Sequence, residues 1–331
     1  MAAPEHPKRV LAADVGGTHT RLSLYESAQA AQPAASARLR SADHASLDAL
    51  LAAFLDAHGG PGLASACVAV AGPVIDDAVA VTNLPWRVEA SALAKVLGAR
   101  QLKLMNDLEA TAFGMLALPA ERFEVLQRGT RPRAKGPVVV AAAGTGLGLA
   151  VLDWDGARHH PRATEAGHVG YAPRTAREMR VLERMRERLG RVSVEQVVSG
   201  PGLAAVYDVL REGDADAPPL DGEDRSAAIA RAALGGSDAS AAEALDLFCE
   251  SYAAAVGDAA LAQLALGGVW IGGAIAGKIL PALRRDGVLE AFRDKGRFRP
   301  LLESLPLEVC LEADTALLGA SQLALRNAEG A

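Results

Sequence analysis

Cysteine is scarce in this chain: Cys67, Cys249 and Cys310 are odd in number and far apart. They supply neither a disulfide framework nor a cysteine-based zinc cluster. Aromatic residues make up 4% of the 331 positions, net charge is −6, and no basic run interleaves with aromatics. Nucleic-acid binding is therefore disfavoured. No stretch approaches the ~18 apolar residues of a membrane helix, and the opening MAAPEHPKRV has no apolar signal core. These absences lead us to expect a soluble, cytoplasmic protein with no nucleic-acid or membrane partner. What is present is globular in character: half the residues are hydrophobic and 22% are charged, with both signs mixed. The length suffices for two lobes, because domains usually split beyond roughly 250–300 residues.

The organising stretch is residues 10–25, VLAADVGGTHTRLSLY. It reads as an apolar strand, a carboxylate, a Gly-Gly-Thr turn and a second, alternating strand, which together predict a hairpin. Gly16 and Gly17 permit a sharp turn and leave space for a ligand at the backbone. Thr18 offers a hydroxyl, and Asp14 stands where a carboxylate could hold a hydrated divalent cation. An ordinary Gly-rich hairpin would read the same way, but the chain repeats the unit at residues 138–153, VVVAAAGTGLGLAVLD. Placing Gly144-Thr145 on Gly17-Thr18, 127 residues apart, also places Leu149 on Leu22 and Val151 on Leu24. Two such hairpins predict duplicated halves facing each other across a cleft. Gly-rich turns make anion-binding concavities suited to a polyphosphate.

Between the repeats, residues 27–41 are rich in Ala, Ser and Gln and predict a surface connection. Leu47, Leu50, Leu51, Phe54 and Leu55 fall at helical spacing, and Ser91 is a candidate cap for a helix over 92–97 that Gly98 ends. An apolar strand over 102–105 runs into Asn106-Asp107 and then a helical stretch. Ligands collect at the carboxyl ends of strands in open α/β folds, which places Asp107 near a substrate. An N-cap role for Asn106 or Asp107 fits the same position.

After the second hairpin, residues 164–173, TEAGHVGYAP, predict a loop bearing Glu165 and His168. The glycines argue against a helical Glu-x-x-His metal motif, and the pair suits hydrogen bonding to a polyhydroxylated ligand better. A lone histidine often has a purely structural role. Residues 175–189 predict an amphipathic helix with Met179, Leu182, Met185 and Leu189 on one face. In SVEQVVSGPG (193–202), Glu195 reads as a carboxylate near a helix start, where the helix dipole favours it. Residues 211–224 are polar with two prolines and predict a loop, followed by two Ala-rich helices. In GGVWIGGAIAGKIL (267–280), Gly272-(x)4-Gly277-Lys278 imitates a P-loop, but Ile279 follows where magnesium coordination needs Ser or Thr. A strand, Gly272-Gly273 and a helix still make a flat surface for a base and ribose. FRDKGRF (292–298) predicts a charged loop, and 314–325 a helix packing on the first lobe.

Together these pieces read as phosphoryl transfer from a nucleoside triphosphate to a hydroxyl: positioning, neutralisation of the phosphates, and a carboxylate that takes the proton.

The chain resembles bacterial glucokinases, in the hexokinase branch of the actin-like ATPase superfamily, over nearly its whole length. DVGGTHTRL and AAAGTGLGLAVL resemble the two phosphate motifs, NDLEATAFG the segment with the catalytic Asp, TEAGHVGYAP and SVEQVVSGPG the sugar-binding segments, WIGGAIAGKI the adenosine motif, and FRDKGRF a characteristic stretch. Ala166 departs from the pattern where many relatives have a glycine. No cysteine-rich zinc motif follows His168, unlike the related repressor/sugar-kinase group. The resemblance implies a two-lobed α/β actin-like ATPase (ribonuclease H-like) fold with duplicated βββαβα units and an interlobe cleft. A small lobe would be 1–109 plus 314–331 and a large lobe 110–313. It implies ATP-dependent phosphorylation of glucose, with Asp107 as base and Asn83, Asn106, Asp107, Glu165, His168 and Glu195 on the sugar. Asp14, Gly16, Gly17, Thr18, Gly144, Thr145 and Gly146 would serve the phosphates, Asp14 would hold Mg2+ through water, and Gly272 and Gly273 would meet the adenosine. A homodimer is implied in the same way. Another hexose, an amino sugar, or a sugar-sensing regulator without turnover are the alternatives.

Overall fold

The computed structural model describes residues 8–212, 220 and 224–329. The chain divides into two compact units, Met1–Leu118 with Asp314–Ala331, and Pro119–Ala313. Most of the 211–224 loop prediction lies outside the described residues.

In the first unit, strands β1 (Val10–Val15), β2 (His19–Tyr25), β3 (Ala35–Arg40) and β4 (Leu63–Val70) are followed by a small hairpin of β5 (Ala78–Ala80) and β6 (Arg87–Glu89), then β7 (Ala99–Asn106). The five-stranded sheet runs β3-β2-β1-β4-β7, antiparallel through the first three and parallel from β1 onward. β1 is apolar along nearly its whole length because both of its faces are covered. Leu11, Ala13 and Val15 join a core with Leu22, Leu24 and the Leu47–Asp56 helix. Val10 and Ala12 face a second core made with the Thr315–Glu329 helix. That helix packs on the Asp107–Leu116 helix through glycines. A Cβ on Gly114 would lie 2.0 Å from the Thr315 carbonyl oxygen, and one on Gly319 would lie 1.9 Å from that of Ala110.

In the second unit, β8 (Phe123–Gln127), β9 (Val138–Ala143), β10 (Leu147–Trp154), β11 (His159–Thr164), β12 (Gly268–Gly272) and β13 (Leu307–Cys310) form a sheet ordered β11-β10-β9-β12-β13-β8. With β8 removed, order and directions repeat those of the first sheet. Leu22 pairs with Ala13 and Leu149 with Ala141, so the second strands superpose at the offset of 127. The first turn, between Val15 and Thr20, holds one residue more than the second, between Ala143 and Leu147.

Several local expectations change. Residues 27–41 are not only connection: β3 pairs with β2, its alternate residues Ala35, Ala37 and Leu39 packing on the core. The helix assigned to 92–97 spans Ala90–Leu97, because β6 runs straight into it, and Ser91 does not cap it. On the Ala176–Leu189 helix the buried residues are Glu178, Val181 and Met185, while Met179 and Leu189 are both 49% exposed. Glu178 is drawn inward by the Arg174 amide and guanidinium, 2.5 and 2.9 Å away, and this turns the face. Phe292 belongs to the Asp286–Arg293 helix and is fully buried, and Gly296–Phe298 forms a 3-10 turn, so only Asp294 and Lys295 of FRDKGRF are loop.

Candidate functional site

In the first unit, the first Gly-Thr turn is braced by a residue that the sequence does not flag. The Ser41 hydroxyl donates to the Gly16 carbonyl at 2.8 Å, and its amide donates to the Thr18 carbonyl at 3.0 Å. The Gly16 amide donates to the His19 carbonyl, while the amides of Gly17 and Thr18 find no acceptor among the described residues. Such outward donors are what an anion needs. Asn83, held at φ +64°, lies against Gly17: a Cβ there would be 3.3 Å from that of Asn83.

Asp14 lies below this turn, half-buried near the end of β1. Burial raises its carboxyl from 3.8 to about 6, with Arg21 opposing the rise and Asp107 and Asp314 adding to it. Arg21 stands 3.9 Å from Asp14 and is ion-paired to Asp314, so these two carboxylates share one guanidinium. Sequence reading missed Arg21 and Asp314. Arg21 sits in the motif already singled out, but Asp314 lies 293 residues away in sequence.

Of the two readings of Asn106-Asp107, the structure bears out the N-cap. Asn106 is the N-cap: its Oδ1 accepts from the amides of Leu108 and Glu109, and Glu109 closes the capping box. Its Nδ2 donates to the Gly72 carbonyl at 3.1 Å, so one amide hydrogen is left for a ligand. Asp107 is the first helical residue, its Oδ1 accepting from the Leu108 amide at 2.9 Å. At the carboxyl end of β7 and the positive end of a helix, an anion is favoured.

In the second unit, the Gly144 amide donates to the Gly146 carbonyl, and the Gly144 carbonyl accepts from Gly200 at 2.8 Å. This ties the second turn to the start of the Gly200–Leu210 helix. The amides of Thr145 and Gly146 find no acceptor among the described residues. Glu195 is not in a first helical turn. It lies in a turn five residues before that helix, where its Oε2 accepts from the Leu147 amide at 2.9 Å and its own amide donates to Gly167. His168 stands between two carboxylates, Nδ1 3.7 Å from Glu195 and Nε2 3.8 Å from Glu165. Its loop rides directly over β10: a Cβ on Gly167 would sit 1.9 Å from the Leu147 carbonyl oxygen. Glu165, His168 and Glu195 thus form one cluster against the second Gly-Thr turn.

A pocket of about 470 Å3 on the same unit joins Gly144 and Thr145 to Pro201, Ser226, Ala274 and Ile279. Gly272 ends β12, and Gly273, at φ +87° and with a would-be Cβ 2.7 Å from the Ala143 carbonyl oxygen, lets the next helix start beside the turn. Lys278 and Ile279, which break the P-loop pattern, both line this pocket, as do Asp224 and Ser226 from a different helix start. No sequence signal marked the latter two. Among the described residues no cluster of three or more His, Cys, Asp or Glu side chains is arranged to hold a metal.

Two sheets of one βββαβα design, each with a Gly-Thr turn at the first hairpin, place the chain in the actin-like ATPase class of kinases. A sequence profile described as glucokinase matches residues 11–327. The glucokinase of Nostoc punctiforme is 35% identical, over 96% of this chain and 99% of that protein. A crystal structure of glucokinase from an Antarctic psychrotroph superposes with a TM-score of 0.83 at 28% identity, covering 96% of this chain and 99% of that one. That of Balamuthia mandrillaris glucokinase, in complex with glucose, shares the fold with a TM-score of 0.78 at 23% identity, covering 99% and 96%. The chain belongs to the glucokinase family. It is a kinase acting with ATP on a sugar.

Proposed function

We propose that the chain transfers the γ-phosphoryl group of ATP to the 6-hydroxyl of glucose, with Asp107 taking the hydroxyl proton. The observation that carries the residue assignment is the Glu165–His168–Glu195 cluster built against the second Gly-Thr turn. Two carboxylates and an imidazole supply the acceptors and donors that a ring of hydroxyls requires. Asn106, with one amide hydrogen uncommitted, and Asn83 are the further candidates for the sugar hydroxyls. The amides of Gly17, Thr18, Thr145 and Gly146, with Gly16 and Gly144 shaping the turns, serve the phosphates. Gly272, Gly273 and the pocket reaching Lys278 receive the adenosine.

A half-buried carboxylate that belongs to no cluster of three or more metal-ligating side chains among the described residues suits a hydrated Mg2+ that arrives with the nucleotide, since this ion keeps most of its waters. When bound, it would neutralise phosphate charge, with Asp14 as its protein partner. Asp107 needs no special basicity, because the proton leaves late in a loose phosphoryl transfer. We further propose a homodimer in the cytoplasm, from the family resemblance. Among the described residues no helix is long and apolar enough to cross a membrane.

The test is ADP release with glucose and a panel of other hexoses and amino sugars, for the wild type and Asp107→Ala. Glucose-selective turnover that falls by about 10²–10⁴ in the variant supports both reaction and base. Sugar binding without turnover in the wild type would make the chain a sensor, and faster turnover of another sugar would reassign the substrate.

A further inference from the structure

The loop carrying Glu165 and His168 also forms one wall of a second cavity, of about 330 Å3, which none of the phosphate or sugar residues enters. Opposite that wall, β9 and β10 contribute Val139, Leu149 and Val151, and the Ala239–Ala262 helix contributes Ala255 and Ala259. Alanine side chains are too short to fill the space to the strands, which leaves the cavity open to solvent past Val169 and Asp258. A cavity of ~150 Å3 with apolar walls takes benzene, so this one accommodates two fused rings, about a dozen heavy atoms.

Charge narrows the occupant. The charged groups in the lining are internally matched: Arg174 pairs with Glu178 at 2.9 Å, and Asp258 with Lys295 at 2.7 Å. No spare cation is left among these lining residues to hold an anion.

We propose that this cavity is a binding site for an uncharged, apolar molecule of two-ring size, and that its occupancy alters sugar affinity. The second half rests on the assignment of Glu165 and His168 to the sugar. Residues 164–172 line the cavity at Thr164, Ala166 and Val169–Ala172, so a ligand there restrains the same segment that presents those two side chains.

The probe is coumarin, a neutral fused-ring lactone, with coumarin-3-carboxylate as its charged counterpart. Binding to the full chain is measured by equilibrium dialysis, for the wild type and for Ala255→Leu and Ala259→Leu, two variants that fill the cavity. We expect saturable one-to-one binding of coumarin to the wild type, weakened at least about tenfold in both variants and for the carboxylate. The variants should keep wild-type circular dichroism and kcat. Calorimetric titration of glucose with and without saturating coumarin should show its Kd shifted at least about twofold, and glucose must shift the coumarin Kd by the same factor. No saturable binding up to the solubility limit, or equal binding by the filled variants, overturns the site. Equal binding of the carboxylate overturns the charge argument, and coumarin binding that falls as protein concentration rises assigns the cavity to a contact between copies instead. Coumarin binding to a protein that fails to bind glucose leaves the cavity standing and sinks the sugar assignment, so the two failures are distinguishable.

Discussion

Asp14→Asn should stabilise the ligand-free protein at neutral pH while impairing the enzyme. Burial raises this carboxyl from 3.8 to about 6, which corresponds to about 3 kcal/mol against the charged form. The sign follows from linkage. A folded value above the unfolded one contributes stability that is complete below pH 3.8 and is lost as pH rises through about 6. Asparagine keeps the shape and never ionises. The variant's advantage should therefore be near zero around pH 4 and reach about 1–3 kcal/mol above pH 7. The Asp14–Arg21 pair that the substitution removes is long, at 3.9 Å, and Arg21 keeps its pairing with Asp314. Native-state hydrogen exchange at the β1 amides, without Mg2+ or nucleotide, reads the opening free energy of the first unit directly. An equal or lower stability of the variant at pH 8, or an advantage that does not change with pH, would refute the reasoning. The same substitution should lower kcat/KM at fixed Mg2+ by at least about tenfold, the usual trade between stability and a working site.

Three further outcomes are expected. Gly146→Ala places a Cβ 2.5 Å from the Glu195 Oε2. Displacing that carboxylate should raise the glucose KM severalfold with little change in melting temperature, whereas an unchanged KM would separate Glu195 from the sugar. Gly319→Ala drives a Cβ to 1.9 Å from the Ala110 carbonyl oxygen. Prising the two helices apart should cost about 1–3 kcal/mol in urea denaturation, and a neutral result would mean that the helix pair gives way freely. Asn106→Ala removes the cap and should cost about 0.5–2 kcal/mol. Asn106→Ser should restore stability but not glucose affinity, because serine caps the helix without supplying the amide hydrogen that asparagine keeps free.

The two hairpins, the helix boundary marked by Gly98, and the strand end at Asn106-Asp107 were legible because each depends on chemistry local in sequence: period-two alternation, caps and glycine turns. Glu165 and His168 were legible as a pair on a glycine-interrupted loop for the same reason. Both third strands escaped notice. β3 and β11 are edge strands, half-exposed and rich in Ala, Arg and His, so that their partners and not their composition make them strands. The inward turn of Glu178 escaped as well, since an apolar stripe cannot show that an arginine backbone and side chain hold the carboxylate in place. At the site, Ser41 braces a turn 25 residues away, and Asp314 shares Arg21 with Asp14 across almost the whole chain. Thus the sequence alone determined that the chain repeats one unit, with a Gly-Thr turn in each copy, since those properties lie in residue type and spacing. Only the tertiary structure decided which carboxylates share a cation, which amides are left to meet an anion, and where cavities remain, since burial and long-range pairing exist only once the chain is packed.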